Sequence, residues 1–281
     1  MAPPSRPPPV AASDSAPPHK LLLALESRAL LEFAAGAMLR RSLQRVVPRG
    51  DGHPVLVLPG LGASDVSTRL LRRFLAELGY QAIPWAMGRN RGLRPGMEHH
   101  MRARLQALYA LHGQKISLVG QSLGGIFARE LAKLEPQLVR QVITLGSPFT
   151  GHVRANNAIR LYEWLSGMRV EETAGNHPGR TRTKPPVPTT SIYSKLDGVV
   201  AWRCSIEASL TGAENIHLRG VSHLGMAASP AALYLLADRL AQAEDDWKPF
   251  RPASWQRLLY GVHDHHPRPA RPDPNLTGET P

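Results

Sequence analysis

Apolar residues between Gly52 and Gln242 follow two alternating patterns along the chain. Short continuous apolar runs, typical of buried strands, are followed by longer segments with apolar residues at helical spacing. The predicted strands cover residues 54–58, 81–87, 139–145, 190–193, 216–220 and the run from Ile116 to the residues just before Ser122. The predicted helices cover residues 64–78, 97–112, 231–242 and the segment after Ser122 through Ala132. This alternation predicts an α/β fold, with a mostly parallel sheet covered by helices on both faces.

The rest of the chain departs from this rhythm. Residues 1–19 are rich in Pro, Ala and Ser and are expected to be disordered. Residues 20–48 predict an N-terminal helix, and residues 49–246 form the α/β domain, interrupted at 150–188 by a small cap insertion. Prolines and histidines dominate residues 247–281, for which we expect a loosely packed C-terminal extension.

The N-terminal helix has two interpretations. Residues 21–47 are rich in leucine, contain only Gly36 as a helix-weakening residue, and are followed by Pro48. Charged residues recur all around the helix, so we expect no broad apolar face and favour a helix packed on the domain surface. The alternative is an interfacial helix that gives weak peripheral association with a membrane through residues 21–47.

The cap insertion contains a helical piece, residues 155–168, followed by a stretch rich in Pro, Gly and Arg. An insertion above the carboxyl ends of strands is typical of elements that cover a binding site. We expect a wall of the pocket rather than a mobile lid, with Leu161, Trp164 and Leu165 lining it. A fixed crossover element without any gating role is the alternative interpretation.

Composition narrows the class of protein. Hydrophobic residues make up 42% of the chain, and no apolar run approaches the roughly 18–20 residues of a membrane span. The single cysteine, Cys204, excludes an intramolecular disulfide. The N-terminal segment lacks the apolar run of a signal peptide. We therefore expect a cytoplasmic protein, with a membrane-peripheral location left open.

The formal net charge of +12 raises the question of nucleic acid. The basic residues are spread along the chain, and no basic run is interleaved with aromatic residues. We therefore expect no nucleic-acid partner. Weak attraction to anionic surfaces fits the charge better.

The run Gly120-Gln121-Ser122-Leu123-Gly124 stands between a predicted strand and a predicted helix. This Gly-x-Ser-x-Gly arrangement is the nucleophile elbow of serine hydrolases, in which a sharp turn lifts the serine hydroxyl clear of the sheet. The motif alone is weak, because small residues also cluster in ordinary turns. Its position between an apolar strand and an amphipathic helix makes Ser122 a candidate nucleophile.

A serine nucleophile needs a base, and the base needs an orienting acid. Asp197 follows one predicted strand and His223 follows the next, so both are expected at the sheet edge that carries Ser122. Taken alone, Asp197 before Gly198 is better explained as a turn residue, and His223 as an ordinary loop residue. The order Ser, Asp, His favours a catalytic triad over these separate explanations.

An acyl-transfer intermediate also needs donors for its oxyanion. One predicted donor is the backbone N–H of Leu123, directly after the nucleophile, and the other is that of Leu61 in the turn after the first strand. Gly62 is the nearest competitor to Leu61. The alternative is a Gly-rich turn that only connects the strand to its helix.

No cofactor and no metal site are expected. His263, His265 and His266 form a tract in the C-terminal extension that lacks the ligand set of a built metal centre.

Several of these segments carry a family resemblance. The chain from about Gly52 to Gln242 resembles the bacterial lipase/esterase branch of the α/β-hydrolase superfamily. The matching segments are residues 55–60, 120–124, 145–148, 193–200 and 222–225. The resemblance implies Ser122 as nucleophile, His223 as base, Asp197 as acid, and Leu61 and Leu123 as oxyanion donors. One departure is Pro59-Gly60, where such lipases usually have His-Gly, so the hydrogen bonds of that imidazole are missing here.

The favoured hypothesis is a hydrolase that cleaves a small-molecule or lipid-like carboxylic ester through an acyl-enzyme on Ser122. An acyltransferase that uses the same three residues is the first alternative, since the two differ only in the exclusion of water. A non-catalytic member of the fold that binds a lipid surface is the second. Acyl chain length, leaving group and oligomeric state do not follow from the sequence.

Overall fold

The computed structural model describes residues 17–150, 157, 163 and 182–262. Its centre is a seven-stranded sheet in the order β2-β1-β3-β4-β5-β6-β7. The strands are β1 (Pro54–Leu58), β2 (Gln81–Pro84), β3 (Ile116–Gln121), β4 (Val139–Leu145), β5 (Thr189–Tyr193), β6 (Ala213–Leu218) and β7 (Tyr260–Val262). Neighbours from β2 to β6 pair in parallel, and only β7 is antiparallel to its neighbour β6. The predicted mostly parallel sheet is confirmed.

Helices cover both faces of this sheet. They are α1 (Lys20–Ala24), α2 (Ala29–Leu43), α3 (Arg69–Leu78), α4 (Met97–His112), α5 (Leu123–Leu134) and α6 (Pro230–Leu240). Alternate residues of a strand point to opposite faces. Val55 and Val57 of β1 therefore join the core under α3 and α6, whereas Leu56 and Leu58 join the core under α4 and α5.

Strand β2 is shorter than predicted. The apolar pattern predicted a strand to residue 87, but pairing with β1 ends at Pro84. The backbone N–H groups of Trp85 and Ala86 donate instead to the two carboxylate oxygens of Asp65, at 2.9 and 3.0 Å. Ala86 has a φ of 57°, which turns the chain out of the sheet.

The expectation of a loosely packed extension from Trp247 onward is wrong for residues 247–262. Strand β7 pairs with β6, and the side chains of Phe250 and Tyr260 are buried. The buried Glu214 carboxylate accepts the Phe250 N–H at 2.6 Å. Burial of these two aromatic rings outweighs the high Pro and His content on which the expectation rested. Residues 263–281, with the histidine tract, lie outside the described residues.

The N-terminal segment differs from the expected single helix and from its expected charge pattern. A 3-10 turn, Leu25–Arg28, separates α1 from α2. Glu26 and Arg40 are buried against the domain, and the outward face carries Leu30, Leu31 and Met38, which are 74–80% exposed. The expectation of no broad apolar face is therefore wrong, because the sequence does not show which side of the helix faces the domain.

Helix α2 packs against α6 and the segment before it. A side chain on Gly36 would collide with the backbone carbonyl of Ala228, so glycine permits this close approach. Among the helices of the described residues, none is both long and apolar enough to cross a membrane.

Candidate active site

Ser122 lies on the turn between β3 and α5. Its φ of 52° and ψ of −121° are strained values for a residue with a side chain, and its N–H donates to the Leu145 carbonyl at 2.8 Å. A side chain on Gly120 would collide with the backbone of Gly124 and Gly125, and one on Gly124 would collide with the carbonyls of the loop after β1. The two glycines of the motif therefore allow strand, helix and loop to meet around the serine.

Asp197 and His223 come together on neighbouring loops at the same edge of the sheet. Their Oδ2 and Nδ1 atoms are 2.6 Å apart, and both side chains are buried. The other oxygen of Asp197 accepts the N–H groups of Val199 and Val200 at 2.8 and 2.7 Å, which fixes the carboxylate. Among the described residues, no hydrogen bond joins the Ser122 hydroxyl to the imidazole, so only the acid and the histidine are directly linked.

The pKa of His223 is raised above its ordinary value of 6.5. Burial disfavours the imidazolium and lowers the pKa, but the charges of nearby carboxylates and the hydrogen bond of Asp197 together outweigh burial. The carboxylate of Glu26 acts in the same direction. His223 is therefore well suited to take up a proton.

The loop after β1 lies directly beside Ser122, the candidate nucleophile. A side-chain carbon on Gly60 would stand 3.4 Å from the Ser122 Cβ atom. The N–H of Gly62, the competing oxyanion donor, is occupied, because it donates to the Asn90 carbonyl at 2.7 Å. Among the described residues, the Leu61 N–H makes no backbone hydrogen bond. The N–H of Leu123 opens α5, where the first amide groups of a helix lack intrahelical partners.

Asn90 holds this loop, and the sequence did not reveal it. It is fully buried, its Nδ2 donates to the Pro59 carbonyl at 2.8 Å, and its N–H donates to the Ala63 carbonyl at 2.7 Å. It thus ties both ends of the loop that carries Pro59. The only sequence clue was its place in the Gly-rich run 88–96, where an asparagine is typical of a turn.

A second group of serine, histidine and aspartate lies at the opposite edge of the sheet. The Nε2 of His53 is 2.8 Å from the Ser117 hydroxyl, and its Nδ1 is hydrogen bonded to Asp51. His53 and Ser117 are almost wholly buried, and Arg140 binds the second oxygen of Asp51 at 2.8 Å. Burial, together with the positive charge of Arg140, lowers the pKa of His53 despite the hydrogen bond and the charge of Asp51.

The remaining predicted residues add little to the site. Leu161, Trp164 and Leu165, the expected pocket residues, lie outside the described residues, as does most of the cap insertion 150–188. In the described part of the chain, no group of three or more His, Cys, Asp or Glu residues has the arrangement of a metal site.

No family model matches the chain. Over 89 residues it is 33% identical to triacylglycerol lipases of Pseudarthrobacter phenanthrenivorans and of Burkholderia plantarii. This match covers 31% of the chain but only 26% and 23% of those two relatives. The solved structure of Aspergillus fumigatus lipase B matches with a TM-score of 0.51 and 18% identity, over 68% of this chain and 53% of that one. The two sequence matches confirm the predicted resemblance to bacterial lipases, and the structural match supports the predicted α/β-hydrolase fold.

Proposed function

We propose that this chain, which has the fold of the α/β hydrolases, is a carboxylic-ester hydrolase with Ser122 as its nucleophile. The observation that carries the proposal is the buried Asp197–His223 pair at the sheet edge where the strained Ser122 turn stands. A strained turn that exposes a serine beside an acid–histidine pair is the arrangement that acyl transfer needs. The 89-residue similarity to triacylglycerol lipases supports an acyl ester as substrate.

In the proposed reaction, Ser122 Oγ attacks the ester carbonyl carbon while its proton passes to Nε2 of His223. The carbonyl electron pair moves to the oxygen, and the N–H groups of Leu61 and Leu123 stabilise that oxyanion. Collapse of the tetrahedral intermediate breaks the bond to the alcohol, which leaves with the proton from Nε2. A water molecule then gives a proton to Nε2 and attacks the acyl carbon. Collapse of this second intermediate breaks the bond to Ser122 Oγ, which takes the proton back from Nε2, and the acid is released.

Asp197 has a distinct part in this scheme. Its carboxylate accepts the Nδ1–H of His223, so Nε2 is left as the proton acceptor for Ser122. The same carboxylate stabilises the imidazolium that forms in each half-reaction. The missing hydrogen bond between Ser122 and His223 is compatible with this role, since catalytic hydrogen bonds often tighten only when substrate binds.

Hydrolysis of p-nitrophenyl esters of increasing acyl length tests the proposal. Wild-type protein is expected to release p-nitrophenol, and Ser122→Ala to lose roughly a thousandfold or more in kcat/KM. Equal rates in the two proteins would exclude Ser122 as nucleophile. Addition of a primary alcohol separates hydrolysis from acyl transfer: an acyltransferase forms the new ester in excess over the free acid.

We also propose that the outward face of the N-terminal segment associates with an anionic lipid surface. Leu21, Leu30, Leu31 and Met38 are 62–80% exposed, and the segment has no exposed acidic residue between positions 17 and 50. Its exposed charges are basic (Lys20, Arg41, Arg45 and Arg49). Leu196 and Leu224, exposed next to Asp197 and His223, extend the apolar surface to the catalytic edge. Apolar side chains with a basic border match a surface of anionic lipids.

Co-sedimentation with vesicles tests this association. Binding to phosphatidylglycerol vesicles is expected, with weaker binding to phosphatidylcholine and a loss in Leu30→Ser/Leu31→Ser. Leu111→Ser/Leu258→Ser is the matched control, because those leucines are 75% and 79% exposed elsewhere on the surface. A lipid partner is contradicted if both double variants sediment equally with the vesicles. It is also contradicted if the protein forms concentration-dependent dimers that only Leu30→Ser/Leu31→Ser abolishes.

A further inference from the structure

Glu26, in the turn between α1 and α2, is a buried carboxylate with three backbone donors. Its Oε1 accepts the N–H of Gly198 at 2.8 Å and that of His223 at 3.0 Å, and its Oε2 accepts the N–H of Leu224 at 2.9 Å. Gly198 directly follows the candidate acid Asp197. One side chain thus joins the loop of the acid to the loop of the histidine, although it lies 172 and 197 residues away along the chain.

The surroundings of Glu26 are shaped for this contact. A side chain on Gly198 would collide with the Leu22 backbone, so the acid loop and the N-terminal segment touch through their main chains. Arg28 donates to the carbonyl of Leu196 at 2.7 Å, on the other side of Asp197. Glu32, one helical turn after Arg28, accepts the N–H of Ser222 at 2.9 Å and is also hydrogen bonded to the Ser222 hydroxyl. The segment therefore contacts the residues on both sides of Asp197 and of His223.

We infer that Glu26 is a positioning residue of the catalytic centre, which fixes the acid loop and the histidine loop relative to each other. The inference rests on the proposed function of Asp197 and His223. A carboxylate that accepts three N–H groups holds its donors more firmly than a neutral acceptor, because charge-assisted hydrogen bonds are stronger. The N-terminal segment then helps to position the catalytic residues and does not merely pack on the domain surface.

The charge of Glu26 gives this role a signature that a purely structural contact lacks. The charged groups that face His223 are Asp197 and Glu26, which raise its pKa; Glu32 reaches the preceding residue, and Arg28 is 3.6 Å from Glu32. Removal of the Glu26 charge lowers the pKa of His223. Since the base must be neutral, the acid limb of kcat/KM then moves to lower pH.

Glu26→Gln is the decisive variant. Its amide keeps the size of the side chain but presents an NH2 group to a backbone N–H, so one hydrogen bond is replaced by a repulsive contact. We expect kcat to fall about 10- to 100-fold with little change in KM, because displacement of catalytic groups costs rates of this order. The control is Glu214→Gln, which changes another buried carboxylate that binds a backbone N–H, that of Phe250, away from the site.

The outcomes separate this inference from the proposed function. If Glu26→Gln has the kcat of wild type and the acid limb of its kcat/KM profile does not move, the inference is overturned. The proposed function still stands in that case, provided that Ser122→Ala is inactive. A loss of activity that only parallels a loss of thermal stability, as in Glu214→Gln, also overturns it. NMR titration of His223 in wild type and Glu26→Gln needs no turnover: a lower pKa in the variant supports the inference even if the ester assay fails, and an equal pKa contradicts it.

Discussion

In the part of the chain that the structure describes, two groups of serine, histidine and aspartate lie at opposite ends of the same strand. Ser117 lies near the amino end of β3, where it contacts His53 and, through it, Asp51. Ser122 follows the carboxyl end of that strand and shares its edge with Asp197 and His223. Chemical composition alone does not distinguish the two groups.

Their surroundings do distinguish them. Ser117 is fully buried within β3, so a substrate cannot reach its hydroxyl. Ser122 is partly exposed on a strained turn, with the loop after β1 and the first turn of α5 beside it. Burial lowers the pKa of His53, whereas acidic neighbours raise that of His223. Access, strain and charge around the three side chains therefore favour Ser122 as the reactive serine, and we expect the buried group to contribute to stability instead.

Covalent labelling is expected to show the largest difference between the two serines. A fluorophosphonate probe is expected to label wild type and Ser117→Ala once per chain, and to leave Ser122→Ala unlabelled, because only Ser122 is accessible and activated. Intact-protein mass spectrometry measures the adduct, and peptide mapping assigns it. Labelling that persists in Ser122→Ala and disappears in Ser117→Ala would reverse the roles of the two groups.

Substitution of each histidine in turn by alanine is expected to affect different properties: activity for His223 and stability for His53. His223→Ala removes the base and should lower kcat/KM by roughly 10³-fold or more. His53→Ala should leave kcat within a few-fold but lower the free energy of unfolding by about 2–4 kcal/mol, from the cavity and the partners left unpaired. Ester hydrolysis and urea unfolding measure the two effects. Similar activity losses in both variants, at temperatures where both remain folded, would contradict the assignment.

The variant Asn90→Ala tests whether the loop beside Ser122 is responsible for the difference between the Ser117 and Ser122 groups. Asn90→Ala frees the Pro59 carbonyl, and the misplaced Leu61 N–H should lower kcat by about tenfold, since an oxyanion donor contributes up to 10²–10³. Asn215→Ala is the control, because Asn215 is equally buried and holds the Glu207 backbone with hydrogen bonds at 2.7 and 2.8 Å. Equal kcat in these two variants, with equal loss of stability, would leave Asn90 a purely structural role.

The smallest expected effect is a difference in pH dependence. The pKa of His223 is raised, so kcat/KM should fall as the pH drops through a value above 6.5. The pKa of His53 is lowered, so below pH 6.5 the unfolded chain binds a proton that the folded protein does not, and stability falls as the pH drops. Rate profiles and urea midpoints between pH 5 and 9 check both signs. In His53→Ala the acid loss of stability should shrink, and the rate profile should not move.

Much of the fold followed from local pattern. Strands β1 and β4 and helix α4 occur at the predicted residues, because continuous apolar runs and helical spacing reflect burial on two faces or on one. The end of β2 and the packing of Phe250 and Tyr260 were missed. Both depend on partners remote in sequence: Asp65 for the residues after β2, and β6 for the strand β7.

The amino-acid sequence alone was enough to predict the sheet, the elbow at Ser122 and the order in which Asp197 and His223 follow it. These features are encoded by residues close together in the chain, where spacing and turn chemistry are visible. The accessible serine, the hold of Asn90 on the loop after β1 and the contact of Glu26 with the loops of Asp197 and His223 became visible only in the folded chain. Those contacts link residues from 27 to 198 positions apart, and their hydrogen bonds form only when folding brings the partners together and removes water from them.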